Sequence, residues 1–237
     1  MSQIILLAKL TVEKIFASFL VRILLLSLLT IVLGLSLYEN SITSLSFLLA
    51  FSPYLFLFST SDMIKDEMER GYLDNRILII ASKSKVLVGK IIGVLFINIF
   101  FLSIMLVVLS ILGILKGERL LFNERVGISL LIGTYYCLAG LFLGFFFKGA
   151  SNALVIVFSQ ILILFLFPKI SPGFFINIEK GIFSNYSEKI MGIIFLILFP
   201  NFLLGALKRY IYVLIINISI LFLLILNLYR RMELKKG

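Results

Sequence analysis

Apolar runs of about 20 residues recur from one end of this 237-residue chain to the other. At about 1.5 Å of rise per residue, each is long enough as a helix to cross a hydrocarbon core of about 30 Å. Lipid offers the backbone no hydrogen-bond partners, so runs this long must close their own bonds and fold as helices. The hydrophobic share, 61%, stands well above the roughly 45–50% of soluble domains. We read an all-α polytopic membrane protein, one transmembrane domain over residues 1–237 with no length left for a soluble one.

The formal net charge is +10, but the basic residues lie at the ends of apolar runs, where they anchor and orient spans. Membrane lipid is therefore the expected partner of these charges, and nucleic acid is not. The chain has no histidine and one cysteine, Cys137, inside an apolar run. That excludes a disulfide within one chain and leaves no cysteine or histidine set for a metal. The opening M-S-Q-I-I-L-L-A-K is too short an apolar run for a removable signal peptide.

Residues 1–18 place Ile5, Leu6, Leu10, Val12 and Ile15 among Lys9, Glu13 and Lys14, which fits an amphipathic helix lying on the membrane. A frayed start to the first span is the alternative. Residues 19–61 hold two spans, Phe19–Leu37, with Arg22 snorkelling at its cytoplasmic end, and Leu45–Ser61, joined by a turn over Tyr38–Ser44. Pro53 should kink the second, because it removes one backbone hydrogen bond.

Residues 86–168 hold the third span, Val86–Leu115, the fourth, Val126–Phe147, and the fifth, Asn152–Phe167, which Pro168 ends. Thirty residues make about 45 Å of helix, so the third should project beyond the bilayer around Gly89–Gly93. Residues 169–209 are external or re-entrant, and 210–237 hold the sixth span, Tyr210–Tyr229, and a cytoplasmic tail.

The run Ile190–Leu207, broken at Pro200-Asn201, decides the topology. If it does not cross, six spans leave both termini inside with 14 of the 22 basic residues. A seventh crossing would leave 12 inside. The positive-inside rule favours six. Two half-helices, Ile190–Phe199 and Phe202–Leu207, then form a re-entrant hairpin before the last span, with an ordinary kinked seventh span as the alternative.

No Asp, Glu, Lys or His falls in the middle of a span. Ion-coupled carriers keep such groups near the midplane because burying them is costly, so a self-powered carrier is disfavoured. Paired carboxylates for acid–base work are missing too, and no base stands by to activate a serine. Polar side chains inside spans, Asn98, Gln160 and Asn217 among them, bond between helices or line a substrate path. Gly133, Cys137, Gly140 and Gly144 form a small-residue stripe, four, three and four residues apart. Such a stripe lets another helix approach closely, within the chain or from a second subunit.

The long polar interval is residues 62–90, with six basic and five acidic residues. Met63, Ile64 and Met68 share one side of a short helix opening near Ser61-Asp62, and Asp66 with Arg70 forms an i,i+4 pair. Gly71 is placed to stop that helix. A second would carry Leu73, Ile77 and Ile80. Two short amphipathic helices with a charged outer face form a docking surface joined to spans two and three; a solvated loop is the alternative. Gly89-Lys90 is no phosphate loop, since Ser84 stands at the first glycine position and Ile91 follows the lysine.

The pattern Glu67-Met68-Glu69-Arg70-Gly71-Tyr72-Leu73-Asp74, with Gly89-Lys90 opening the next span, resembles permease subunits of ABC transporters of the type-2 export class. Ile80 stands where that family often has a proline. The haem-exporter permeases of cytochrome c maturation share a similar motif and size. The resemblance implies an interfacial helix, six transmembrane helices, a cytoplasmic coupling helix between spans 2 and 3 (residues 62–85) and re-entrant helices before span 6.

It further implies a separate ATP-binding subunit that supplies ATP and Mg, so this chain itself is not an enzyme and binds no cofactor. Two permeases, identical or related, would form the path in a prokaryotic cell membrane. Met63, Ile64, Glu67, Arg70, Gly71, Leu73 and Asp74 are then the coupling residues. Asn98, Tyr135, Gln160 and Asn217 are the candidates for the substrate path, and Gly133, Gly140 and Gly144 for helix packing. A passive channel or carrier and a membrane scaffold that moves nothing are the readings from other classes.

Overall fold

The computed structural model describes residues 3–61, 63–64, 82–118, 124–146, 151–170, 173–200 and 204–231. Among them the chain is all-helical. The helices are α1 (Gln3–Ala17), α2 (Phe19–Tyr38), α3 (Ser41–Thr60), α4 (Lys83–Leu115), α5 (Glu124–Leu143), α6 (Ser151–Ile170), α7 (Phe174–Lys180), α8 (Tyr186–Leu198) and α9 (Leu204–Arg231). Five of the described segments are long and apolar enough to cross a membrane: α2, α3, α4, α5 and the Arg209–Arg231 part of α9. This is an integral membrane protein. Helix α6, 20 residues long, covers the expected fifth span.

Several boundaries differ from the sequence expectation. The turn expected over Tyr38–Ser44 shrinks to Glu39-Asn40, because Asn40 caps α3: its Oδ1 accepts the Thr43 N–H at 2.6 Å. Helix α6 runs two residues past Pro168, a shift of the size that fraying and assignment produce at helix ends. Helix α5 stops at Leu143 and continues as a turn through Phe146. The run 190–207 is broken: α8 ends at Leu198, Phe199 leaves helical geometry, α9 begins at Leu204, and Tyr210 interrupts its helical backbone.

Helix α3 sits at the centre. From Ser52 to Thr60 it is buried on every side, as expected of a stretch without a polar face, while Ile42 and Ser46 near its start are exposed. The small-residue stripe of α5 packs on it inside this one chain. A Cβ at Gly133 would meet the Phe56 ring, one at Gly140 would lie 2.2 Å from Thr60 Oγ1, and one at Gly144 would touch Ile64. On its other side α3 joins α2 and α4 around Leu28, Val32, Leu48, Met105 and Leu109.

A second close approach seats α1. A Cβ at Gly89 would lie 2.6 Å from the Leu7 Cβ, and one at Gly93 would lie 2.7 Å from the Ala8 carbonyl. The pair is a G-x-x-x-G step on one face of α4, which lets the α1 backbone lie against it. Leu7, Thr11 and Ile15 of α1 are buried there, while Ile5, Leu6 and Leu10 face outward. The apolar residues of this amphipathic helix therefore divide between α4 and the surroundings.

At the far end of α4 one turn holds the α2–α3 hairpin. Gly117, at φ +73°, reverses the chain in the left-handed region that glycine adopts readily. It sets Lys116 and Glu118 on opposite helix termini. The Lys116 ammonium donates to the carbonyls of Ser36 and Leu37 at the end of α2, and Glu118 Oε2 accepts the Ser41 N–H at 2.7 Å at the start of α3. Each charge faces the helix end of opposite partial charge. The Ser41 N–H, then its hydroxyl, hold the Glu118 carboxyl below the usual carboxylate range, and Lys116 adds to the effect.

Two outcomes follow from this packing. Gly140→Val should lower thermal stability in detergent by about 1–3 kcal/mol through overpacking, while Gly34→Ala, where a Cβ meets nothing within 4 Å, should be neutral or stabilising. Because folding depresses the Glu118 pKa, its contribution is present above the unfolded value near 4.5 and is lost as the pH falls through the folded one. Unfolding temperatures of parent and Glu118→Gln should therefore differ at pH 7 and converge under acid.

Candidate functional site

A polar side chain in the middle of an apolar helix costs stability unless it finds a partner. Gln160, the tenth residue of α6 and 2% exposed, finds three. Its Oε1 accepts the Tyr54 hydroxyl at 2.7 Å and the Tyr136 hydroxyl at 3.1 Å, and its Nε2 donates to Tyr136 Oη and to the Leu198 carbonyl, both at 2.9 Å. The tyrosine rings lie 5.4 Å apart. One amide thus ties α3, α5 and α6 together and receives a carbonyl at the end of α8.

That last bond has a geometric consequence. The C-terminal carbonyls of a helix lack partners within it, and here one is met by a residue halfway along α6. Helix α8 therefore ends level with the middle of α6.

A second polar contact sits one layer away. Pro53 has no N–H, so the carbonyl of Leu49, four residues earlier, loses its helical donor. Ser129 of α5 supplies the replacement, donating from Oγ to Leu49 O at 2.8 Å, with the Ser52 hydroxyl 3.4 Å from the same Oγ. Helix α3 passes through the proline unbroken. Sequence reading anticipated the lost bond but not its repair. The signal was a lone serine near the start of α5, legible only once α5 was known to lie on α3.

The four substrate-path candidates are not brought together. Gln160 is a buried tie. Asn98 is buried and returns its Nδ2 to the Val94 carbonyl of its own helix at 2.9 Å. Asn217 does the same to Val213 O at 2.8 Å. Tyr135 is half-buried, its ring edge-on to Tyr136 at 5.5 Å. The residues missed were Tyr54 and Tyr136, polar tips in mid-span whose significance depends on Gln160 standing opposite.

Of the coupling candidates, Met63 and Ile64 turn into the core, at 5% and 0% exposure. Ile64 lies against Gly144, in the turn just after α5, so these two side chains fix the end of α3 to that of α5 and present no surface to a partner. Glu67, Arg70, Gly71, Leu73 and Asp74 lie outside the described residues.

The two ends of the bundle differ in charge. At one, Lys85 donates to Gln3 Oε1 at 3.0 Å, Arg230 Nε to Ser84 Oγ at 3.1 Å, and Lys83 to the Arg230 carbonyl at 3.4 Å. Lys90 stands over the Tyr229 ring, 5.8 Å from its centroid. The start of α1, the start of α4 and the end of α9 therefore share one basic end. At the other lies the Lys116–Glu118 turn. There too Glu188 of α8 closes a cap, accepting the Ser184 N–H at 2.6 Å while Asn185 Oδ1 accepts the Glu188 N–H. That N–H, and then the Ser184 hydroxyl, hold the Glu188 carboxyl below its usual range. Among the described residues no group of three His, Cys, Asp or Glu side chains could hold a metal ion.

Removing a tie leaves its partners buried without one. Gln160→Leu should cost about 1–3 kcal/mol for each hydroxyl left unmet, and Ser129→Ala a similar amount. Thermal unfolding in detergent would measure both. A Tyr54→Phe, Gln160→Leu cycle should show less than the sum of the single losses, since both changes remove the same bond.

Comparisons with protein-family models, with curated proteins and with solved structures found no match to this chain.

Proposed function

We propose that this chain is the membrane-spanning permease subunit of an ATP-driven ABC exporter of the type-2 class. It would act as a homodimer or heterodimer of permeases in a prokaryotic cell membrane, with both termini in the cytoplasm and a separate ATP-binding subunit docked on the segment after α3.

The observation that carries this reading is the Gln160–Leu198 bond. With α6 as the fifth span, α8 ends near mid-membrane, and the break at Phe199–Pro200 before α9 makes a re-entrant hairpin ahead of the sixth span. Broken backbone at that depth is tolerated only where protein or a cavity covers it. The seating of α1 on Gly89 and Gly93 supports the same layout, because it leaves an amphipathic helix beside the basic end of the bundle. That end gathers Lys83, Lys85, Arg230 and Arg231, which the positive-inside rule assigns to the cytoplasm.

In this mechanism ATP-driven closure of two partner subunits pulls on α3 and α4 through residues 62–85. Met63 and Ile64 carry the movement into α5 because they are packed against it. Glu67, Arg70, Gly71, Leu73 and Asp74 are the residues assigned to the contact with the partner. Since no acidic or basic side chain occupies a mid-span position, the energy comes from that partner.

The test is affinity purification from the native membrane in mild detergent, with mass spectrometry and an ATPase assay, beside a Glu67→Ala, Gly71→Pro variant. An ATP-binding subunit should copurify with the parent and be lost from the folded variant. A partnerless parent that conducts solutes in vesicles would overturn the proposal in favour of a passive channel.

A further inference from the structure

The basic end of the bundle sits directly above an apolar groove, and both are built by α4 and α9. Ser84 and Ile91 lie seven residues apart on one face of α4, as do Arg230 and Leu223 on α9, about 10.5 Å along each axis. At the upper level Arg230 Nε donates to Ser84 Oγ at 3.1 Å, with Lys83 beside them. At the lower level Ile91, Phe222 and Leu223 line a groove of about 430 Å³, floored by Leu138 of α5 and reaching Ser219. Arg230 and Arg231 are exposed, and Ser82–Asn98 and Ile220–Arg231 contain no Asp or Glu.

We propose that this corner is a binding site for an anionic phospholipid. Its phosphate sits on Arg230, Ser84 and Lys83, and one acyl chain descends into the groove past Ile91 and Leu223. The chemistry fits at both levels. A guanidinium, an ammonium and a hydroxyl at the end of membrane-crossing helices match a phosphate monoanion at headgroup depth. The first turn of α4 adds the positive end of a helix dipole. The groove lies within the half-thickness of the core, about 15 Å below the headgroups. The two hydroxyls that line the groove, Thr134 and Ser219, already bond their own helices, at 2.9 Å to Leu130 O and to Ile215 O, so the wall offers an acyl chain no unmet polar group.

This site does not depend on transport or on an ATP-binding subunit; it depends only on the ends of α4 and α9 lying at a bilayer surface. A lipid held there would bridge α9 and α4, the helix on which α1 is seated.

The experiment uses the full chain in mild detergent, with any subunit that copurifies. Native mass spectrometry and unfolding temperature would be followed against phosphatidylglycerol, phosphatidylcholine and inorganic phosphate. Phosphatidylglycerol should be retained and should raise the unfolding temperature; phosphatidylcholine and phosphate should do neither. The Lys83→Gln, Arg230→Gln variant, checked for unchanged helicity by circular dichroism, should weaken retention about 30-fold, since each basic residue contributes about fivefold near an anionic lipid. Ser219→Phe, which fills the groove, should reduce retention with the headgroup residues intact. Lys189→Gln, at the opposite end, should leave it unchanged. Equal retention of both lipids, an equal response to inorganic phosphate, or retention unaffected by both site variants would each overturn the assignment.

Discussion

Every backbone carbonyl that leaves its helix inside this bundle must be met by another part of the chain, because hydrocarbon offers nothing in exchange. Two such carbonyls organise the centre. Leu49 O, released by Pro53, takes the Ser129 hydroxyl; Leu198 O, at the end of α8, takes the Gln160 amide. Each repair crosses between helices distant in sequence. The proline and the helix break therefore join α3 to α5 and α6 to α8.

Close approach is what makes those bonds possible. Gly133, Gly140 and Gly144 bring the α5 backbone onto α3, and Gly89 with Gly93 brings α1 onto α4. With little hydrophobic force to hold helices together in lipid, packing at short range and buried polar contacts carry the association. The glycines and the polar ties are thus two parts of one solution. Helix α3, enclosed on all sides from Ser52 to Thr60, is where they meet.

Much of the architecture could be read from the residues. The span positions, the amphipathic helix over α1, the proline in α3 and the break near Pro200 all follow from runs of apolar residues and a few breakers. The start of α3 lies four residues before the expected Leu45 because the Asn40 cap sits in a polar stretch that resembles a turn. Helical spacing puts Met63 and Ile64 on one face but does not give its direction, which is inward.

The candidate site was less legible than the fold. Gln160 stood out as a polar residue in an apolar run, yet a substrate path and a structural tie give the same sequence signal. Burial and the bonds to three partners, Tyr54, Tyr136 and Leu198, make it a tie between helices in this fold. By itself the sequence determined the membrane class, the helical segments and the gathering of basic residues at span ends, because hydropathy and charge act residue by residue along the chain. Only the tertiary structure decided which face of each helix meets which neighbour, that α8 ends level with the middle of α6, and that Arg230 stands beside Ser84. Those facts depend on residues far apart in the chain, 38 positions for Gln160 and Leu198 and 146 for Ser84 and Arg230, and a linear pattern carries no information about which of them come into contact.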